Sequence, residues 1–363
     1  MDRILAQSIK ELAQFRRDRL GAALVFLLPL MTMLIFGFAI RLEIKDVPLA
    51  VRDFDNSPLS RAYIEQVFAT NQFKPVAATT TDDMDLLDRG IAQAIVVIPP
   101  DFSRQLKKGK TNALQVLIDG TDVNNARVIQ NSLRATTQFF LEKQGFQNHR
   151  PDVVAHIRIW FNPGRRESLY IVPGVYAIVL FTYPALVAAM AVVREKEQGT
   201  LVQVKASGIS AWEFLMGKAL AYVLISIGEA LVLMGLGGLL FDLWPVANPW
   251  PLLVGTGLFL MVSVVYGLLI GVYSKQALVA VQTVMNTGLL AAVWLSGFLY
   301  PVKNIPWPLS LVANIVAARY YIELTRDAFL VGAGWLRIGH VIPILFLLTI
   351  GMFMLSWWRI RQR

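Results

Sequence analysis

Six stretches of the chain are apolar for about the 20 residues a helix needs to cross a bilayer: 20–40, 169–193, 215–240, 251–273, 277–300 and 341–358. Within them only Lys218 and Glu229 carry charge. In hydrocarbon every backbone amide has to find its partner inside its own segment, so all six are read as helices, and Pro29, Pro184 and Gly267 do not demote them.

Between the first two runs the pattern shortens. A strand is predicted over 48–51, and Asn56-Ser57-Pro58 is a start signal for a helix over 59–69. A strand at 73–77 follows, then a short helix opened by Thr81-Asp82-Asp83 and closed by Gly90. The β-branched run 94–98, ended by Pro99-Pro100, reads as a buried strand. A helix over 101–108, a strand over 113–118, a long helix over 122–144 and a final strand over 153–161 complete the segment. Strands alternating with helices predict a small α/β domain over 41–168. The fold class is therefore an α-helical polytopic membrane protein of six transmembrane helices with an inserted α/β extracytoplasmic domain.

Composition agrees: 55% of the 363 residues are hydrophobic and 16% charged, against a usual charged share of about 25%. With the amino terminus in the cytoplasm, Arg3, Lys10, Arg16, Arg17, Arg19, Arg194, Lys196, Lys205, Lys218, Lys275, Arg359, Arg361 and Arg363 all fall on that side. The outward connection 241–250 has no Lys or Arg, so both termini are placed inside. The other outward loop, 301–340, opposes this weakly with Lys303, Arg319, Arg326 and Arg337. The net charge of +9 is then a topology signal, and with no soluble basic patch nothing points to nucleic acid. A cleaved signal peptide is rejected for the first run, which is too long and lacks a small-x-small cleavage site. Residues 1–19 place Ile4, Leu5, Ile9, Leu12 and Ala13 on one helical face, as for a cytoplasmic helix lying in the interface. Cysteine is absent, so the outer domain is held without disulfides.

Chemistry is sparse. His149 and His156 have no metal-ligand or nucleophile–base spacing around them. Gly109-Lys110-Thr111 looks like the end of a phosphate-binding loop, but position 104, where its first glycine belongs, is Arg104. The chain is read as a transporter subunit without its own ATPase site, binding no cofactor.

Three stretches are more specific: Trp160-Phe161-Asn162-Pro163 before Ile171-Val172-Pro173-Gly174; Arg194-Glu195-Lys196-Glu197-Gln198-Gly199-Thr200-Leu201 with Ser207-Gly208-Ile209-Ser210; and Ser296-Gly297-Phe298-Leu299-Tyr300-Pro301 with Arg319-Tyr320-Tyr321-Ile322-Glu323-Leu324-Thr325-Arg326. Together, in order along the whole chain, they resemble permease subunits of ABC-2 type exporters, in the branch with a large extracytoplasmic domain between spans one and two. Residues 202–206 depart from the family's leucine-rich, proline-containing run, and Trp160-Phe161 from its frequent Tyr.

The resemblance implies a dimer of two permease chains, identical or related, each docked on a cytoplasmic ABC ATPase that holds ATP and magnesium. It places coupling to that ATPase in 194–213, on Arg194, Glu195, Lys196, Glu197, Gly199, Thr200 and Leu201. It also implies a periplasmic adaptor as a further partner of the outer domain, beside membrane lipid. The prolines at 301, 306 and 308 bracket an apolar half-span, 309–318, which predicts a re-entrant segment within 301–326; an amphipathic helix on the outer surface is the alternative. Glu229 is open to three readings: substrate path, a basic partner across a dimer, or an interhelical hydroxyl. Gln282, Thr283 and Asn286 form a polar stripe suited to helix packing or a pathway. Glu323 and Arg326, at i and i+3, are expected to pair. The function expected is export of a hydrophobic or amphipathic solute. The rivals are a membrane-anchored sensor or envelope scaffold, and a secondary transporter, which would show an internal symmetry absent here.

Overall fold

The computed structural model describes residues 2–39, 46–77, 83–108, 114–120, 123–146, 166–200 and 208–362. Contacts divide the chain into two compact units, Met1–Ile40 with Arg158–Arg363, and Arg41–Ile157. The first unit holds six helices long and apolar enough to cross a membrane: Arg19–Phe38, Ser168–Glu197, Ala211–Phe241, Trp250–Tyr273, Ala277–Trp294 and Val341–Arg361. They are called the first to sixth spans below. An amino-terminal helix, Asp2–Arg17, precedes them.

Two boundaries differ from the sequence reading for physical reasons. The second span runs through Arg194, Glu195 and Lys196 to Glu197, because those charges find partners on neighbouring helices. The fifth stops at Trp294 instead of reaching Tyr300: Ser296 turns its hydroxyl back onto Ala292, and Gly297 takes a positive φ. The first and fifth spans each contain a π-helical turn, at Ala23–Leu27 and Val284–Leu289.

The second span is the axis of the bundle. It packs against the first, third, fourth and fifth spans, and it is buried over most of its length, as at Val172, Tyr176, Leu180 and Ala188. In lipid such association rests on close van der Waals fit and interhelical hydrogen bonds more than on hydrophobic transfer. By contrast, the first, fifth and sixth spans leave long apolar faces exposed, among them Leu27, Ile35, Leu278, Trp294, Leu347 and Leu355.

The apolar run 309–318 is not one half-span. It breaks into Leu309–Ala313 and Ala317–Arg326, with the Tyr320 hydroxyl donating to the Asn314 carbonyl at 2.6 Å across the break. Helix Ala317–Arg326 is wedged against the second and fourth spans. Tyr321 stacks on Phe259 at 3.9 Å between ring centroids and lies 2.9 Å from the Thr256 hydroxyl, while Thr325 Oγ1 donates to the Pro173 carbonyl at 3.0 Å. Its backbone is covered by protein on those sides, the condition under which irregular chain is tolerated at membrane depth.

The second unit contains a four-stranded sheet of order β2-β1-β3-β4, with β1 Val47–Asp53, β2 Phe73–Val76, β3 Ala94–Ile98 and β4 Gln115–Ile118. β1 pairs in parallel with β2 and β3, and β3 pairs antiparallel with β4. Each parallel pair needs a crossover. Helix Pro58–Phe68 supplies the first, capped by a reciprocal Ser57–Ser60 box, and Asp83–Asp88 lies in the second. Leu49, Ile98 and Tyr63 are buried together with Ile129 and Phe140 of helix Val123–Lys143. The strand read over 153–161 and the Thr81-Asp82 helix start lie outside the described residues.

Candidate functional site

The amino-terminal helix packs on the protein through its polar side and leaves open the apolar face read from the sequence. Leu5 and Ile9 are 48% and 65% exposed, and Ala13 is also exposed. The buried residues are instead Gln7, Ser8 and Glu11, a polar stripe at one-turn spacing that packs against the start of the third span. Gly217 makes the approach close enough: a Cβ there would lie 2.6 Å from the Gln7 side chain and 3.2 Å from the Ile4 carbonyl. Ser8 Oγ donates to the Gly217 carbonyl at 2.8 Å. Ser210 and Glu213 form a capping box that starts the third span at Ala211, and Arg3 donates to the Gly208 carbonyl at 2.6 Å just before it.

Beneath this contact lies a closed ion network. Lys218 is fully buried, and its Nζ donates to Glu11 Oε1 at 2.6 Å, Glu195 Oε1 at 3.3 Å and the Ala191 carbonyl at 3.3 Å. Gln7 donates to the same Glu11 oxygen at 3.0 Å and the Tyr222 hydroxyl to the other at 3.2 Å. Lys10 donates to Glu195 Oε1 at 2.5 Å. Two ammonium groups and two carboxylates thus balance, which is how charges persist at such burial.

Each of the four charges that end the second span goes to a different neighbour. Arg194 pairs with Asp18, the residue that caps the first span by accepting the Gly21 N–H at 3.0 Å. Burial pushes the Asp18 carboxyl up, but the Gly21 N–H and the Arg194 guanidinium outweigh it and hold it below its usual value. Glu195 joins the network on the amino-terminal helix and the third span. Lys196 Nζ donates to the carbonyls of Gly271 and Val272, both at 2.6 Å, and of Ser274 at 3.0 Å. A cation there answers the negative end of the fourth helix. Glu197 accepts the first N–H of the fifth span, Ala277, at 2.8 Å. Gly199, at φ +70°, turns the chain out of the helix, a conformation that only glycine adopts at no cost. The Thr200 hydroxyl donates to the Glu195 carbonyl at 3.2 Å, and Leu201 lies outside the described residues.

The residues read as a solute path fall on three elements: the third span, the fifth span and helix Ala317–Arg326. Glu229 is 1% exposed in the third span, and neither carboxylate oxygen has a hydrogen-bond partner among the described residues, so no interhelical hydroxyl meets it there. Gln282 and Asn286 are exposed on the fifth span. Glu323 and Arg326 do not pair. Arg326 lies over the Tyr170 ring, 3.9 Å from its centroid, and donates to the Gly297 carbonyl, whereas Glu323 sits 3.5 Å from His340.

Glu11, Gly217 and Tyr222 were missed from the sequence, and Lys218 was assigned no partner there. The available signal was the charge inside an apolar run at Lys218, which demands a buried partner, and the polar spacing Gln7, Ser8, Glu11 on a helix otherwise read by its apolar face.

Residues 22–358 match the ABC-2 family transporter protein family. The chain is 26% identical over 376 residues to the probable multidrug ABC transporter permease YbhS of Escherichia coli K12, covering 99% of this chain and 97% of that one. It is 28% identical over 337 residues to the probable multidrug permease YbhR of the same organism, 88% of each chain, and 26% identical over 326 residues to its inner membrane transport permease YhhJ, 84% of this chain and 85% of that one. With its six candidate spans, the chain belongs to the ABC-2 family and is a multi-pass permease subunit of an ABC transporter.

Proposed function

We propose that the chain is the permease of an ATP-driven exporter that moves a hydrophobic or amphipathic solute out of the cytoplasm or inner leaflet of an inner membrane, with both termini cytoplasmic. The sheet-bearing unit is then an inserted α/β extracytoplasmic domain. Two relatives of near-equal length bear multidrug permease names, which supports that solute class. A separate ABC ATPase would carry ATP and magnesium, a second permease chain would complete the pore, and an adaptor could meet the outer unit.

The observation that carries the reading is the four-way junction at the end of the second span. Arg194, Glu195, Lys196 and Glu197 tie that helix to the amino-terminal helix and to the first, third, fourth and fifth spans. A push delivered at 194–213 would reach all of them through contacts that are already closed. Coupling of this kind needs an element whose arrangement differs between two states, and a charged junction next to the cytoplasmic loop is a suitable one. The exposed faces of the first and fifth spans provide the surface for a second permease chain, and the Gln282 and Asn286 stripe lies on that surface.

The test is purification of tagged protein in mild detergent, scoring co-purified ATPase and solute-stimulated hydrolysis. Native protein should retain a soluble ATPase, and Glu195→Ala with Glu197→Ala should lose it or uncouple hydrolysis from solute. A chain that purifies without ATPase from several detergents at native expression would overturn the exporter reading in favour of a sensor or scaffold.

A further inference from the structure

The end of the bundle that carries the Arg194–Glu197 junction has more cations than its acids can meet. Glu11 and Glu195 hold Lys10 and Lys218, Asp18 holds Arg194, Glu213 accepts from Ser210, and Glu197 accepts from Ala277. Lys275, Arg359 and Arg361 are left with no carboxylate at ion-pair distance among the described residues. The two arginines lie over aromatic rings instead, Arg359 5.2 Å from the centroid of Tyr273 and Arg361 5.4 Å from that of Trp357. Lys275 is exposed in the turn between the fourth and fifth spans. Residues 201–207, which follow the junction, add Lys205 and no acid.

A cavity of about 490 Å³ lies at this turn, within the size range of small-molecule sites. Lys275 and Gln276 line it at the turn, Ile270, Val279 and Thr283 line it along the fourth and fifth spans, and the Tyr273 ring that carries Arg359 is part of its wall. From Gln276 to Thr283 the fifth span runs about 10 Å, at roughly 1.5 Å per residue. The Thr283 hydroxyl donates to the Val279 carbonyl at 2.7 Å, so its proton is spent within the helix. Glu197 is not part of the lining. The cavity therefore joins an uncompensated ammonium to aliphatic surface, on a face where Tyr273, Leu278 and Val279 are all exposed. An anion that carries an apolar chain matches both ends, and basic pockets between spans are where acidic headgroups settle.

We infer that this cavity is a binding site for one anionic phospholipid of the surrounding leaflet, with its phosphate at Lys275 and an acyl chain along Ile270 and Val279. Arg359 supplies the second positive charge from its place over the Tyr273 ring. The inference rests on the membrane placement of these spans and not on transport, so it can fail while the exporter reading stands.

The experiment uses the full chain in nanodiscs of equal parts phosphatidylglycerol and phosphatidylcholine, released into the gas phase so that retained lipids are counted by mass. The expected result is one phosphatidylglycerol per chain, favoured at least tenfold over phosphatidylcholine. Lys275→Gln with Arg359→Gln should cut that retention at least tenfold. Val279→Trp, which fills the cavity from an exposed position and leaves every charge in place, should do the same. Arg16→Gln with Arg17→Gln, which removes two exposed cations of the amino-terminal helix, should change nothing. Glycerol 3-phosphate, which has the phosphate without the chains, should not displace the lipid. Equal loss in the Arg16 and Arg17 variant would show diffuse attraction to the whole basic face and overturn the site. Native retention in the Lys275 and Arg359 variant or in Val279→Trp would overturn it too, by separating binding from the charges or from the cavity. Displacement by glycerol 3-phosphate would overturn a lipid as the occupant.

Discussion

Replacing Lys218 by Met removes the fully buried cation that both buried carboxylates share. Glu11, 1% exposed, keeps the Gln7 amide, the Tyr222 hydroxyl and a longer pair with Lys10 at 3.7 Å, while Glu195 keeps Lys10 at 2.5 Å, a cation that is itself 37% exposed. The site changes from two cations against two anions to one against two. Breaking a buried pair by deleting one partner costs about 3–5 kcal/mol, chiefly because a charge is left uncompensated. Lys218→Met should therefore lose about 3 kcal/mol. The double variant with Glu11→Gln, which removes the stranded charge, should be more stable than the sum of the two single losses by about 1–3 kcal/mol, as residues in one network couple. Tryptophan fluorescence through equilibrium unfolding in mixed micelles of rising SDS fraction would measure all four corners. Additivity within about 0.5 kcal/mol, or a single-variant loss below about 1 kcal/mol, would refute the network as a stabilising unit.

Gly217→Leu should displace the amino-terminal helix, since even a Cβ meets Gln7 at 2.6 Å; overpacking of this kind costs about 1–3 kcal/mol. Because the chain has no cysteine, a Ser8→Cys probe should react slowly with maleimide in the native background and at least tenfold faster with Gly217→Leu, and equal rates would contradict the contact. The lowered Asp18 carboxyl makes its pair with Arg194 a stabilising contact that is complete above the unfolded value near 3.8 and is lost as pH falls through the lower folded value. Asp18→Asn should accordingly flatten the acid limb of a stability–pH curve, and an unchanged limb would place the acid sensitivity elsewhere. For topology, cysteines introduced singly at Asn56 and Gln362 should label with an impermeant reagent from opposite sides of the membrane, Asn56 from outside. Labelling of both from one side would overturn the even-numbered reading.

The spans were legible because a bilayer imposes its thickness on each segment separately, so 20 consecutive residues contain all the information needed. The strand Ala94–Ile98 was legible for a similar reason, being a β-branched run ended by two prolines. The packing side of the amino-terminal helix was not. Its apolar face dominates the local pattern, but the side that packs is chosen by Lys218 and Gly217, some 200 positions away, and no local periodicity records a partner at that range. The same limit explains the Glu323–Arg326 pair. Spacing of three residues makes such a pair available, yet the Tyr170 ring and the Gly297 carbonyl offer Arg326 a better-shielded site. At 309–318, apolarity counted residues without seeing that Asn314 would break the helix and present its carbonyl to Tyr320. At the junction, the sequence showed which charges were there but not where they went.

Successive residues of an α-helix project about 100° apart, so four in a row face nearly every direction around the axis. At Arg194–Glu195–Lys196–Glu197 that full turn is occupied, four spokes reaching five surrounding elements because Glu195 meets both the amino-terminal helix and the third span. Such an end behaves like a keyed hub. It can tilt or travel together with its neighbours, but it cannot rotate by even one residue without releasing all four spokes at once. Inserting a single residue just before Arg194 should thus be far more disruptive than any one substitution in the quartet, because it shifts the phase of every spoke while leaving its chemistry intact.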